Sequence, residues 1–297
     1  PNFHHDIDES NTVGGKPIFY KIGLIDQTFD ENDNFGYLGL ISCTNITVKN
    51  LDVNGIVIVD TTDSTISNVS SCNNTNGIYL YISSDNIIIN CTAYNNDYGI
   101  HIHKSSNNNI TNCNVYDNKY HGIYIPLSSY NNIANCNVYN NNYNGIFLIR
   151  SLNCTLRNNT IYNNTYNFDV DTLIINEFHH DIDATNTVNG KRMYYLADRE
   201  NEVFDGTIYD FGYMALISCT NITVKNSDVC GILLADTTDS TVSNISSHNN
   251  VKGVSLWFSS GNSITNCDVC LNKYGIFLNT ASNNIITNCD AYNNGYG

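Results

Sequence analysis

Glycine recurs ahead of a short apolar run at Gly55, Gly77, Gly99, Gly122 and Gly145, then at Gly231, Gly253 and Gly275, with Gly297 in register, in steps of 22 or 23 residues within each block. An aliphatic column runs in register with it, at Val48, Ile66, Ile88, Ile110, Ile133 and Leu156, then Val224, Val242, Ile264 and Ile286, and asparagine follows two residues after each. A fixed period of this length marks a solenoid, because a unit too short to bury its own apolar face must stack on its neighbours. Each unit holds several brief strands between Asn- and Gly-rich turns, as in Ile110-Thr-Asn-Cys-Asn-Val115 and Gly122-Ile-Tyr-Ile125.

Coiling such units so that like strands lie about 4.8 Å apart turns every column into a ladder and defines an all-β parallel β-helix. Composition agrees: 53 of the 297 residues are asparagine and only 3 are proline, while apolar residues reach 41%, enough to fill a core. Asn, Thr, Ser, Tyr, Ile and Val are indifferent helix formers, and most of them favour strands and turns. The asparagine column is expected to turn inward as a hydrogen-bonded ladder of Asn68, Asn90, Asn112, Asn135, Asn158, Asn244, Asn266 and Asn288.

The pattern Ile-x-Asn-(Cys/Asn)-x-(Val/Ala)-Tyr-x-Asn-x-x-Gly-Ile covers residues 43 to 170 and 219 to 297. It resembles the NosD-like and carbohydrate-binding-and-sugar-hydrolase repeats of archaeal cell-surface proteins. The resemblance implies a right-handed, single-stranded β-helix with 22- to 23-residue coils. It is specific for fold and unspecific for function, since one scaffold hosts many chemistries.

A longer duplication lies above the coils. Residues 3 to 53, from Phe-His-His-Asp-Ile-Asp through Cys43-Thr-Asn-Ile-Thr-Val-Lys-Asn, return at 178 to 229. The chain therefore divides into a first unit, 1–176, with a decorated segment 1–42 and coils 43–176, and a second unit, 177–297, with a decorated segment 177–218 and coils 219–297. Both are expected to form one continuous solenoid, part of a longer chain. In each decorated segment, Thr12-Val-Gly-Gly-Lys16 and Thr187-Val-Asn-Gly-Lys191 read as two-residue hairpins.

Thirteen basic against 28 acidic side chains give a net charge of −15, which disfavours a nucleic-acid partner. No apolar run approaches the roughly 20 residues of a membrane helix. Of the eleven cysteines, Cys91, Cys113, Cys136, Cys267 and Cys289 fall in a core-facing column and Cys72, Cys230 and Cys270 in an outward one. Buried free thiols and rung-to-rung disulfides both fit that placement. Ten Asn-x-Ser/Thr sequons are present, four of them in the column expected to be inward. Together with the resemblance they favour an extracellular or cell-surface location.

Three groups of residues could carry chemistry. The outward face of the glycine strand offers Tyr79, Tyr81, His101, His103, Tyr124 and Phe147, with Trp257 and Phe277 in the second unit, a surface on which sugars could stack. His4, His5 and Asp6 and their copies His179, His180 and Asp181 could hold Cu or Zn. Asp60 and Asp63, with Asp236 and Asp239, could serve as paired catalytic acids or a calcium site, although Thr-rich turns of this kind more often form Asx-turns. The reading that follows is a structural or adhesive β-helix that binds glycans or neighbouring copies of itself and needs no cofactor. A secreted polysaccharide lyase or glycoside hydrolase is the alternative, and a periplasmic copper-binding maturation factor the third.

Overall fold

The structure, a computed structural model, describes residues 3–297. Its first stack carries a parallel sheet in which Lys16–Ile22, Tyr37–Ile41, Gly55–Val59, Asn76–Tyr81, Tyr98–His103, Ile123–Pro126, Asn144–Ile149 and Tyr166–Asp171 pair in that order. Successive strands register one coil apart, Ile100 against Ile78 and Ile123. Shorter strands on the other faces do the same, Val115 pairing with Ala93 and Val138. Alternation sends Ile78, Ile100, Ile123 and Ile146 into a lumen where each is fully buried. The glycine column reflects the tightness of that stacking. A Cβ on Gly99 would lie 2.3 Å from Val115 Cγ1 and 2.7 Å from the Gly122 carbonyl oxygen.

The corners correct the expected ladder. Asn68, Asn90, Asn112, Asn135, Asn158, Asn244, Asn266 and Asn288 are all exposed and all have φ between +52° and +56°. They are the left-handed residues at which the coil bends, a conformation that asparagine tolerates better than most residues. Residual stacking survives only in pairs, such as Asn68 Nδ2 to Asn50 Oδ1 at 3.1 Å. The buried ladders sit one residue after a corner, where the bend turns the next side chain inward. Asn86 and Asn108 backbone amides donate to Asn108 and Asn131 Oδ1 at 3.0 and 2.9 Å. Asn96, Asn118 and Asn141 donate likewise to Asn118, Asn141 and Asn164 at 3.0 to 3.1 Å. A third ladder uses hydroxyls, the Ser83, Ser105 and Ser128 amides donating to Ser105, Ser128 and Ser151 Oγ. Cys91 and Cys113 occupy the fourth inward position, their thiols donating to the Ile89 and Thr111 carbonyls at 3.3 Å. All eleven cysteines are free, which sets aside the disulfide reading, and Cys230 is buried rather than outward.

The two units do not form one continuous solenoid. The glycine-strand sheet of the first stack ends at Tyr166–Asp171. The sheet of the second grows from a different face, where Thr187–Val188 turns through Asn189-Gly190 and pairs antiparallel with Lys191–Ala197. From there Phe211–Ile217, Gly231–Ala235, Lys252–Trp257 and Tyr274–Asn279 follow in parallel. In a straight stack Lys273 would lie five glycine strands beyond Asp169, on the order of 24 Å away. Instead Lys252 reaches Asp169 on the last coil of the first stack, and Lys273 Nζ donates to Tyr143 Oη at 3.0 Å beside the coil before it. The second stack thus lies against the side and end of the first. Its own lumen is a separate apolar cluster around Met214, Leu216, Ile232, Leu234, Val254 and Leu256.

Candidate functional site

Period-two alternation places the odd positions of each glycine strand outside, and coil stacking aligns them. On the first stack this assembles a chain of rings: Tyr79 to His101 at 4.7 Å between centroids, His101 to Tyr124 at 4.9 Å, Tyr124 to Phe147 at 5.6 Å. Interplanar angles of 33°, 32° and 18° show that each ring lies over the next, so the faces are largely spent on one another. Tyr98 and His121 join this set, 5.6 and 4.8 Å from Tyr124. They occupy the outward column immediately before the glycine, a signal present in the sequence but not read there as part of the site.

The open part of this face is a cleft of about 330 Å³ lined by His101, His103, Tyr124, Pro126, Leu127, Ile149 and Arg150. Leu127 and Arg150 stand at left-handed corners just past the strand ends. His101 is braced from behind, its Nδ1 2.9 Å from Asn76 Oδ1, which fixes the proton on Nδ1. Burial, then the neighbouring His103 and His121, holds His101 down to about 3, and burial alone holds His121 down to about 4. Burial also pushes Tyr79 up to about 12. These groups stay neutral throughout the physiological range. An imidazole with so low a pKa is a weak proton acceptor near pH 7, where a general base is most effective with a matched pKa. No carboxylate lines the cleft. The arrangement offers apolar contact, ring edges and the Arg150 guanidinium.

Other candidate positions fall elsewhere. Tyr81 is 7% exposed and lies under Phe3, with ring centroids 5.5 Å apart. Trp257 is 2% exposed, between Phe178 at 5.6 Å and Phe277 at 5.1 Å, with Lys252 Nζ above its ring at 5.6 Å. It is therefore an interior residue of the contact between stacks and no sugar platform, and Phe277 packs beside it. The acids Asp60, Asp63, Asp236 and Asp239 are left-handed corner residues with φ of 50° to 55°. Asp60 and Asp236 accept from Ser42 and Ser218 Oγ at 2.8 and 3.0 Å, and Asp63 from its neighbour Thr62 at 2.9 Å. All four are turn-formers, and Asp60, Asp63 and Asp236 are each occupied on their own corner.

The metal candidates separate as well. His180 is buried and takes the place of a ladder asparagine, its Nδ1 accepting the Cys154 amide at 3.2 Å, with burial holding it down to about 3. Asp181 leaves in the other direction to pair with Arg157 at 2.5 Å. His4, His5 and Asp6 lie on the exposed approach to the first stack. Among the described residues no three His, Cys, Asp or Glu side chains converge to hold a metal ion.

One convergent charge cluster escaped the sequence reading. Lys252 Nζ donates to Asp169 Oδ2 at 3.0 Å and Asp171 Oδ2 at 3.3 Å where the stacks meet. Asp169 and Lys252 are each 5% exposed. Burial, outweighing Lys252, raises the Asp169 carboxyl to about 6, and the two acids hold Lys252 charged against its own desolvation. The cluster joins the two stacks.

Fold and face together define a parallel β-solenoid with an aromatic outer cleft. The sequence profile of the right-handed beta helix region matches residues 30–192 and 194–297, and the chain belongs to that family. Among solved structures it is similar to the periplasmic alginate epimerase AlgG, at 12% identity over 95% of this chain and 79% of that one, with a TM-score of 0.43. It is also similar to pectate lyase Pel9A, at 15% identity over 97% and 68%, TM-score 0.35. The Dettilon tailspike protein follows at 10% identity over 92% and 62%, TM-score 0.37. No curated protein matches the sequence. Among the described residues no helix is long and apolar enough to cross a membrane.

Proposed function

We propose that the chain is an extracellular, non-catalytic carbohydrate-binding β-helix whose first stack holds a glycan in the cleft between His101, Tyr124 and Ile149. The cleft itself carries this reading: an apolar floor of Pro126, Leu127 and Ile149 flanked by ring edges and by Arg150 as a hydrogen-bond donor. Concave, mostly apolar sites with a few fixed polar groups are what small ligands occupy, and sugar rings present apolar C–H faces and hydroxyl edges together. Against an enzyme stand the absence of acids from the cleft and the low basicity of its histidines. The corner acids and the Asp169–Asp171–Lys252 cluster are committed to structure. The strongly acidic composition suits an extracellular setting.

A glycan array followed by calorimetry on the intact chain tests the proposal, with reducing-sugar and unsaturated-product assays on the same preparation. Binding of at least one glycan class is expected, weakened about tenfold, or 1.4 kcal/mol, by Tyr124→Ala at a temperature where the variant is shown to be folded. Turnover of any polymer, or undiminished binding by Tyr124→Ala, sinks the reading.

A further inference from the structure

Each coil bends at left-handed corners, and the corner motif has a built-in sequence consequence. The bent residue favours asparagine, the next side chain points inward to a ladder, and the one after begins a strand, where threonine is at home. Asn-x-Thr therefore recurs for architectural reasons alone, and a sequon in this fold proves nothing by itself. What distinguishes sequons is whether the asparagine amide is already employed.

Several are. The side-chain amides of Asn45 and Asn221 donate to Asp26 and Asn201 at 2.7 Å, and those of Asn68 and Asn244 to the asparagines one coil back at 3.1 Å. Asn73 is turned onto the Cys72 sulfur at 3.3 Å. One coil differs. Its corners Asn153, Asn158 and Asn163 are all sequons, Asn153-Cys-Thr155, Asn158-Asn-Thr160 and Asn163-Asn-Thr165. All three asparagines are exposed, with φ of 52° to 54°. Their backbone amides bond onward to His179, Thr185 and Asn189, which fixes the corners, while their side-chain amides have no hydrogen-bond partner among the described residues. The intervening Cys154, Asn159 and Asn164 are buried ladder residues, and the hydroxyls of Thr160 and Thr165 are on exposed residues. Among the described residues no other coil has sequons at three corners.

We propose that this coil carries N-linked glycans on Asn153, Asn158 and Asn163, a collar of sugar around the first stack. A lipid-diphosphate oligosaccharide is the donor. The amide nitrogen bonds to the anomeric carbon and the bond from that carbon to the diphosphate oxygen breaks. The lipid diphosphate leaves with the electron pair, and one amide proton passes to solvent. The remaining amide proton and the left-handed backbone are unchanged, so the coil accepts the modification without losing a hydrogen bond. The outward direction of all three amides leaves the lumen and the cleft untouched. This inference rests on the extracellular part of the proposed function and not on the cleft's ligand.

The test is peptide mapping of the full chain taken from the extracellular fraction of its own source, with enzymatic deglycosylation in heavy-oxygen water. Labelled aspartate is expected at positions 153, 158 and 163 and absent at 45 and 221. Replacing Thr155, Thr160 and Thr165 together by valine keeps every corner asparagine and every strand-forming residue, and is expected to abolish the three modifications and the accompanying mass excess. Bare asparagines at all three positions in an extracellular preparation overturn the collar while leaving the extracellular reading intact, whether or not other proteins of that fraction are glycosylated. Recovery of the chain only inside the cell overturns both. A glycan still mapped to Asn153, Asn158 or Asn163 after the triple valine change also overturns the collar.

Discussion

At the fifth position of its glycine strand the first stack carries Tyr81 beneath Phe3, and the second carries Trp257 beneath Phe178. The strap that brings each phenylalanine across is also the same: Tyr20 and Tyr195 hydroxyls donate to the Phe3 and Phe178 carbonyls. Yet in Tyr98–His103 the outward residues are half open, whereas Lys252–Trp257 is buried along its whole length. The difference is the last coil of the first stack, whose Phe168 meets Tyr213 at 5.2 Å and whose Asp169 receives Lys252. A column in a solenoid has no fixed role. Whether it reads as a ligand face or as an interior seam depends on what the rest of the chain lays against it, and the residues follow: Tyr and His where open, Lys between two acids where closed.

Breaking the seam is expected to cost most. Lys252→Ala leaves Asp169 buried without a partner and should destabilise the chain by about 3 to 5 kcal/mol, read in denaturant unfolding. Lys104→Ala, on the open face of the first stack, should stay within about 0.5 kcal/mol. Equal effects from the two would mean that the stacks do not meet in solution as described.

Acid should expose the same contrast. His180, 8% exposed at the junction, stays neutral when folded but takes a proton near pH 6.5 when unfolded. Its stabilising effect is therefore complete above about pH 6.5 and is lost as pH falls toward 3. His101 and His121 act in the same direction. Asp169, raised to about 6, runs the other way and gains stability as pH falls from there toward 4. His180→Asn keeps an acceptor for the Cys154 amide and removes the proton site, so the acid slope of urea stability should flatten by on the order of a few kcal/mol between pH 6.5 and 4.

The smallest effects separate ladder from corner. Asn118→Ala strands the Asn96 amide in the lumen, for about 1 to 3 kcal/mol. Asn112→Ala, at an exposed corner, should cost roughly 1 kcal/mol of left-handed strain and Asn112→Gly almost nothing, as thermal midpoints will show. A reversed order would return the ladder to the column first expected.

Much of this was visible in the residues. Stacking makes coils share volume position by position, so Gly99 above Gly77 and Ile110 above Ile88 announce the fold. Phase at the corners was not legible, because asparagine serves equally as a bent exposed residue and as a buried amide, and Asn158 and Asn159 stand side by side with opposite duties. The fold-back was not legible either. The hairpins at Thr12–Lys16 and Thr187–Lys191 are near copies, and nothing in the second spells out that it turns the chain against the stack before it. Of the cleft, alternation assembled His101, His103 and Tyr124, but Leu127 and Arg150 lie beyond the strand ends where alternation stops.

The three ladders point one way: the amide of Asn74 is answered by Asn96, that of Asn96 by Asn118, and so on up the first stack. No turn of the helix is complete until the one synthesised after it arrives. A chain leaving the ribosome will always trail one raw, sticky layer at its growing tip, and the moment of greatest risk is the pause between one layer and the next.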